Sequence, residues 1–229
     1  MTSVQELYHL QNSLSQIFDR IGITQEIREN FSLDELSRQE QEQLTFLIEK
    51  FEVSLKEIRH SPNIIEEIID QRLLIRLGNY YYCQGDLSQA LEHYDLSNLV
   101  EENEWAYFNS ARILQINEQL RPAYEKYDLA IKLKPDFPLA LRHQAEILTH
   151  QGDHEAALKK LQKCQQLNPN DPETNKLLAN YYIEHGEKEE ALIRLKAIHH
   201  RDKDVIEKIE ELERKESFLS RIIGRFRKK

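Results

Sequence analysis

Apolar residues recur every three or four positions through most of the chain, the spacing of one face of an α-helix rather than the alternation of a half-buried strand. Near the start, Leu7, Leu10, Leu14, Ile17 and Ile21 form a heptad-like seam that stops at Gly22. A second stripe follows in Leu44, Leu47, Ile48, Phe51, Leu55 and Ile58. Ser3 with Glu6 and Ser32 with Glu35 have capping-box spacing, and Ser61-Pro62 reads as an N-cap followed by a first-turn proline. Three helix starts are therefore predicted ahead of residue 70. The seam within residues 4–21 is expected to pack against its own chain, with pairing to a second copy as a homodimer the other outlet.

From residue 71 the pattern repeats. Leu74-x2-Leu77-Gly78-x2-Tyr81 with Ala90-x3-Tyr94 recurs as Tyr107-x2-Ser110-Ala111-x2-Leu114 with Ala123-x3-Tyr127 and Pro135. It returns as Leu141-x2-Gln144-Ala145-x2-Leu148 with Ala157-x3-Leu161 and Pro169, then as Asn175-x2-Leu178-Ala179-x2-Tyr182 with Ala191-x3-Leu195. One small residue on each of two successive helices lets the backbones approach, and Tyr or Leu fills the space beside them. Gly85-Asp86, Gly152-Asp153 and Gly186-Glu187 supply a left-handed C-cap followed by an acid at the next helix start. Asn117-Glu118-Gln119 lacks that glycine, which predicts a less sharply bent second hairpin.

These units resemble the tetratricopeptide repeat family, whose repeat is a helical hairpin of about 34 residues. The resemblance covers roughly residues 71–202 and implies an all-α, right-handed α-solenoid of about four hairpins, at 71–103, 104–137, 138–171 and 172–202. Residues 1–70 are then a non-repeat helical region, and residues 203–229 a C-terminal capping helix with a basic amphipathic tail. Val205, Ile209 and Leu212 are expected to cover the stacking face of the last repeat.

Composition agrees with an all-α chain: only 12 of 229 residues are Gly or Pro, too few for the turns of a β-sandwich or barrel. The net charge of −9 is unevenly spread, because Arg214–Lys229 carries seven basic residues against one acid, leaving −15 on residues 1–213. An acidic body repels nucleic acid, which is not expected as a partner. In the tail, Phe218, Leu219, Ile222, Ile223 and Phe226 share one helical face and Arg221, Arg225 and Lys228 the other. Phe218, Ile222, Arg225 and Phe226 thus become candidates for contact with an anionic membrane surface or a partner, docking onto the body being the remaining destination. Cys83 and Cys164 stand far apart, without metal or redox spacing, and Cys164 replaces a small residue where a buried thiol is expected. The first residues lack the basic start and apolar run of a secretion signal, so the expected location is cytoplasmic, with a peripheral membrane position open to the tail.

Chemistry is sparse. The chain has no Gly-rich phosphate loop, no H-E-x-x-H, no G-x-S-x-G and no Cys/His set at ligand spacing, so neither enzyme activity, nor a metal site, nor a cofactor is expected. What remains is a surface. The resemblance places ligands against the first helix of each repeat. On this chain it nominates Arg72, Arg76, Asn79 and Tyr82, then Trp105, Phe108, Asn109 and Arg112, then Arg142 and His143, and finally Lys176 and Asn180. Asn could pair a peptide backbone, Arg could grip carboxylates, and Trp105, Phe108 and Tyr82 could seat an apolar anchor, which suits an extended or acidic peptide segment. Basic residues outnumber acids at these positions, so the groove is expected to be locally positive. The family members that clamp a C-terminal carboxylate also use Lys and Arg; Asn79 and Asn109 match them, but Ile75, Leu139 and His143 fill the basic places. The reading is a peptide-binding adaptor or assembly chaperone, with a membrane-associated scaffold or a secretion-type dimeric chaperone as the alternatives.

Overall fold

The computed structural model describes residues 3–26, 36–58, 65, 67–199 and 202–226, with side chains described from residue 5 to residue 214 of these. Among the described residues there are eleven helices and no strand. The predicted helix starts at Ser32/Glu35 and Ser61-Pro62 lie outside the described residues. Two compact units divide the chain, Met1–Pro135 and Asp136–Lys229.

In the first unit, α1 (Ser3–Ile21) and α2 (Arg38–Ile58) precede two hairpins, α3 (Gln71–Cys83) with α4 (Leu87–Val100) and α5 (Glu104–Ile116) with α6 (Leu120–Leu133). A capping box does open α2, but it is Ser37/Glu40: the Glu40 amide donates to Ser37 Oγ at 3.4 Å and the Ser37 amide to Glu40 Oε2 at 3.0 Å. Leu7 and Leu14 of the seam are buried with Leu44, Ile48, Phe51 and Leu55 of α2 and Leu73, Leu74 and Leu77 of α3, and Leu10, Ile17 and Ile21 pack on the same cluster. The five apolar residues of the seam thus pack against their own chain. Gln11 fixes this packing, donating to the Ile68 carbonyl at 3.0 Å and accepting from the Asp70 amide at 2.8 Å.

Asp70, Asp86 and Asn103 cap the helices that follow them by accepting backbone N–H groups. The second hairpin corrects the expectation of a blunter turn. Glu118 takes φ 58°, the place held elsewhere by Gly85 (79°), Gly152 (82°) and Gly186 (76°). Its amide donates to the Gln115 carbonyl at 3.0 Å and the Gln119 amide to that of Leu114 at 2.8 Å, the pattern that Gly85 and Asp86 make with Tyr82 and Tyr81. Packing between the helices enforces the left-handed cap even where the residue resists it.

The second unit holds α7 (Pro138–His150) with α8 (His154–Leu167), α9 (Pro172–Glu184) with α10 (Lys188–Lys196), and α11 (Lys203–Phe226). Asp153 and Asp171 are side-chain caps, and Pro138 and Pro172 occupy first turns where no N–H is missed. Ala145, Ala157, Leu161 and Cys164 are buried, and burial raises the Cys164 thiol pKa to about 11. Val205 and Leu212 of α11 are buried with Ala179, Ala191 and Leu195 of the last hairpin, Ile209 packing beside them. The side chains of Phe218, Ile222, Arg225 and Phe226 lie outside those described.

Candidate functional site

In the first unit, Arg76 and Asn79 on α3 and Asn109 on α5 converge on a strap of chain, residues 22–26, that runs on from α1. The Arg76 Nε donates to the Ile23 carbonyl at 2.8 Å, Asn79 Nδ2 to the Thr24 carbonyl at 2.6 Å, and Asn109 Nδ2 to the Gln25 carbonyl at 2.9 Å. Three successive main-chain carbonyls are each taken by one side chain. This face therefore grips backbone, a contact that any amino-acid sequence in the strap's conformation could make.

The gripping groups are held in place from behind. Asn79 Oδ1 accepts from the Tyr94 hydroxyl at 2.7 Å and from Asn109 Nδ2 at 2.9 Å, so the Asn79 amide must turn its Nδ2 toward the strap. Tyr94 reaches this oxygen only because Gly78 has no side chain: a Cβ there would stand 2.3 Å from the Tyr94 ring. Arg76 is oriented by Asp19 at 2.8 Å and lies over the Phe18 ring at 5.2 Å; burial lowers its pKa, opposed by the Asp19 charge. Asn79 and Asn109 are themselves buried.

The other nominated residues are placed as follows. Arg112 lies over the Tyr82 ring at 5.6 Å, and Arg72 is exposed. Trp105 meets Phe108 edge-on at 5.9 Å and carries Lys134 over its ring at 5.6 Å. Phe108, expected with Trp105 and Tyr82 to seat a peptide's apolar anchor, is instead buried against Tyr127 and belongs to the core. In the second unit, Arg142 pairs with Asp171 at 3.2 Å and His143 with Glu146 at 3.1 Å. Lys176 meets Asp202 at 2.9 Å and Glu173 at 3.2 Å, and Lys208 of α11 donates to Asn180 Oδ1 at 2.6 Å. These last two line a cleft of about 850 Å³ with Val205, Glu207 and Arg214. The expected local positive charge is thus largely neutralised, because Arg76, Arg142 and Lys176 each find a carboxylate from a segment that their repeat position alone does not reveal.

Sequence reasoning missed the strap and Tyr94's role in aiming Asn79. Gly22, which takes φ 75°, was the available signal for a sharp exit from α1, but nothing in the pattern says where the exiting chain lies. No group of three His, Cys, Asp or Glu that could hold a metal exists among the described residues, and none of their helices is long and apolar enough to cross a membrane.

Helical hairpins closed by a shared left-handed turn, with small residues where the paired helices touch, define an all-α solenoid-type repeat protein. A family model described as tetratricopeptide repeat matches residues 148–214. Among solved structures, a crystal structure of MamA protein aligns at TM-score 0.58 and 16 % identity, covering 90 % of this chain and 94 % of that one. YrrB, described as a TPR protein with an unusual peptide-binding site, aligns at 0.53 and 16 % identity over 81 % and 90 %. The C-terminal part of a TPR repeat-containing protein from Cytophaga hutchinsonii aligns at 0.55 and 16 % over 74 % and 68 %. No curated protein matches by sequence. Residues 148–214 thus carry tetratricopeptide-repeat sequence, and the fold of the chain is similar to that of these repeat proteins.

Proposed function

We propose that this protein is a non-catalytic protein-interaction module that binds extended peptide segments on the α3/α5 face, serving as an adaptor or assembly chaperone in the cytoplasm. One observation carries the reading: Arg76, Asn79 and Asn109 take the carbonyls of three consecutive residues. Such a face reads main-chain geometry first and leaves side-chain preference to neighbours such as Tyr82 and Arg112. The likeness in fold to YrrB, described as having a peptide-binding site, supports the same reading. Residues 71–202 are the repeat array in this proposal, residues 1–70 a helical cover on it and residues 203–229 the cap. The test is partner capture by the immobilised intact protein, compared with Asn79→Ala, Asn109→Ala, Arg112→Ala combined. Capture that disappears while helical content is retained supports the reading; capture that survives places the ligand elsewhere.

A second reading, recruitment to an anionic membrane surface, is favoured by the helical backbone of α11 running unbroken from Lys203 to Phe226, which keeps the basic amphipathic tail helical.

A further inference from the structure

The strap uses the peptide-gripping groups incompletely. All three donors toward it are engaged, but Asn109 Oδ1 is buried and has no donor among the described residues. A side-chain amide that gives its N–H to one main-chain carbonyl is built to accept a main-chain N–H as well, and the strap offers none. Side-chain recognition of the strap is equally thin. Thr24 Oγ1 turns back to the Glu26 carbonyl within the strap at 3.1 Å, and Thr24 is exposed. Only Ile23 is buried, in the cluster with Phe18, Leu73 and Leu77. Gly22 delivers the strap through a left-handed turn around which a side chain would meet nothing within 4 Å.

We propose that residues 22–26 are a resident internal ligand of the α3/α5 face, and that the partner is an extended peptide which displaces them, seating an aliphatic side chain where Ile23 sits and donating an N–H to Asn109 Oδ1. The proposal rests on the peptide-binding reading above and names the partner's chemistry and the competitor it must overcome. Tethering gives the strap a high effective concentration, so a free peptide with the same contacts loses to it, and only a segment making the additional bond wins the face. Substitutions at groups shared by strap and partner partly cancel in the wild type and act in full once the strap is released.

The probe is a fluorescein-labelled synthetic peptide with the sequence of residues Asp19–Glu26, titrated by anisotropy against the full-length protein. Two variants release the strap by different means: Ile23→Asp removes its buried anchor, and Gly22→Val strains its left-handed turn without touching the core. The expected result is affinity at least about ten-fold higher for either folded variant than for the wild type, the gain being lost when Asn79→Ala and Asn109→Ala are added. Folded variants that bind no tighter than the wild type, or a gain indifferent to the asparagine substitutions, overturn the proposal. Hydrogen exchange of the wild type gives an answer that requires no variant to bind tightly: at a probe concentration that saturates the released variants, the tethered strap should still hold the face and residues 22–26 keep their protection, and loss of that protection overturns the proposal. Groove-dependent capture of a partner with no gain on release would leave the peptide-binding reading intact and remove the strap from it, whereas loss of both removes both.

Discussion

Gly78→Ala, a substitution that ordinarily favours a helix, is expected to damage this one. The added Cβ would stand 2.3 Å from Tyr94 Cε1, 2.6 Å from Cδ1 and 2.9 Å from Cζ, so the ring must retreat by about 1 Å to reach ordinary contact. Tyr94 is fully buried, and its hydroxyl is tied to Asn79 Oδ1 at 2.7 Å. Overpacking costs about 1–3 kcal/mol and a lost buried hydrogen bond about 1 kcal/mol, against up to about 1 kcal/mol gained in helix propensity. The net expectation is about 1–3 kcal/mol of destabilisation, read as a lower urea midpoint by circular dichroism. The repeats supply the control. Ala145 faces a repeat with Leu161, and Ala179 one with Leu195, so Gly78→Ala with Tyr94→Leu should regain most of the loss in stability while leaving the Asn79 amide unaimed. Ala111 coexists with Tyr127, but the Tyr127 hydroxyl goes to Gln115 Oε1 at 2.8 Å rather than toward the adjacent residue. A Gly78→Ala protein as stable as the wild type would refute the close approach of Tyr94 to α3.

Further expectations follow from other contacts. Glu118→Gly should raise stability by about 1 kcal/mol in thermal and urea melts, because the side chain is exposed and the φ of 58° is the cost being removed. Ala145→Leu should cost about 1–3 kcal/mol by overpacking where α7 meets α8; an unchanged midpoint contradicts the helix register. Burial would raise the Asp171 pKa, but hydrogen bonds from Thr174 and the charge of Arg142 outweigh it and hold it below the ordinary value. A depressed carboxylate stabilises above its unfolded pKa and loses that contribution as pH falls through the folded one, so Asp171→Asn should flatten the acid limb of stability below about pH 4. Intact protein should co-sediment with anionic vesicles and Ile222→Asp with Phe226→Asp should not; equal co-sedimentation by both removes the membrane reading.

Helix periodicity and the positions of small residues were legible because both arise from contacts within one hairpin, where residues three and four apart must share a face. The seam of α1 was legible too, though its neighbour Phe18, buried between the seam and α3, was not singled out. What local pattern cannot reach is the path of a non-repeat segment. Asn79 and Asn109 could be nominated from their place in the repeat, but their engagement by Thr24 and Gln25 joins residues more than fifty positions apart through a strap with no periodicity. Phe108 was misplaced for a related reason. The same repeat position is buried at Ile75 and half-buried at Arg142 and Lys176, and in this repeat Trp105 and Tyr127 pack against Phe108. Glu118 shows the opposite case, a residue whose own preference argues against the turn that the surrounding hairpin imposes.

The claim that Asn79 and Asn109 are the groups which hold a partner's main chain is tested most directly by their own side-chain amides. In a ¹⁵N–¹H spectrum of the intact protein, titrated with a synthetic peptide corresponding to a segment recovered by capture, both NH₂ pairs should shift in step with occupancy. Saturable binding that leaves those two amides unmoved, while resonances elsewhere respond, would contradict the account.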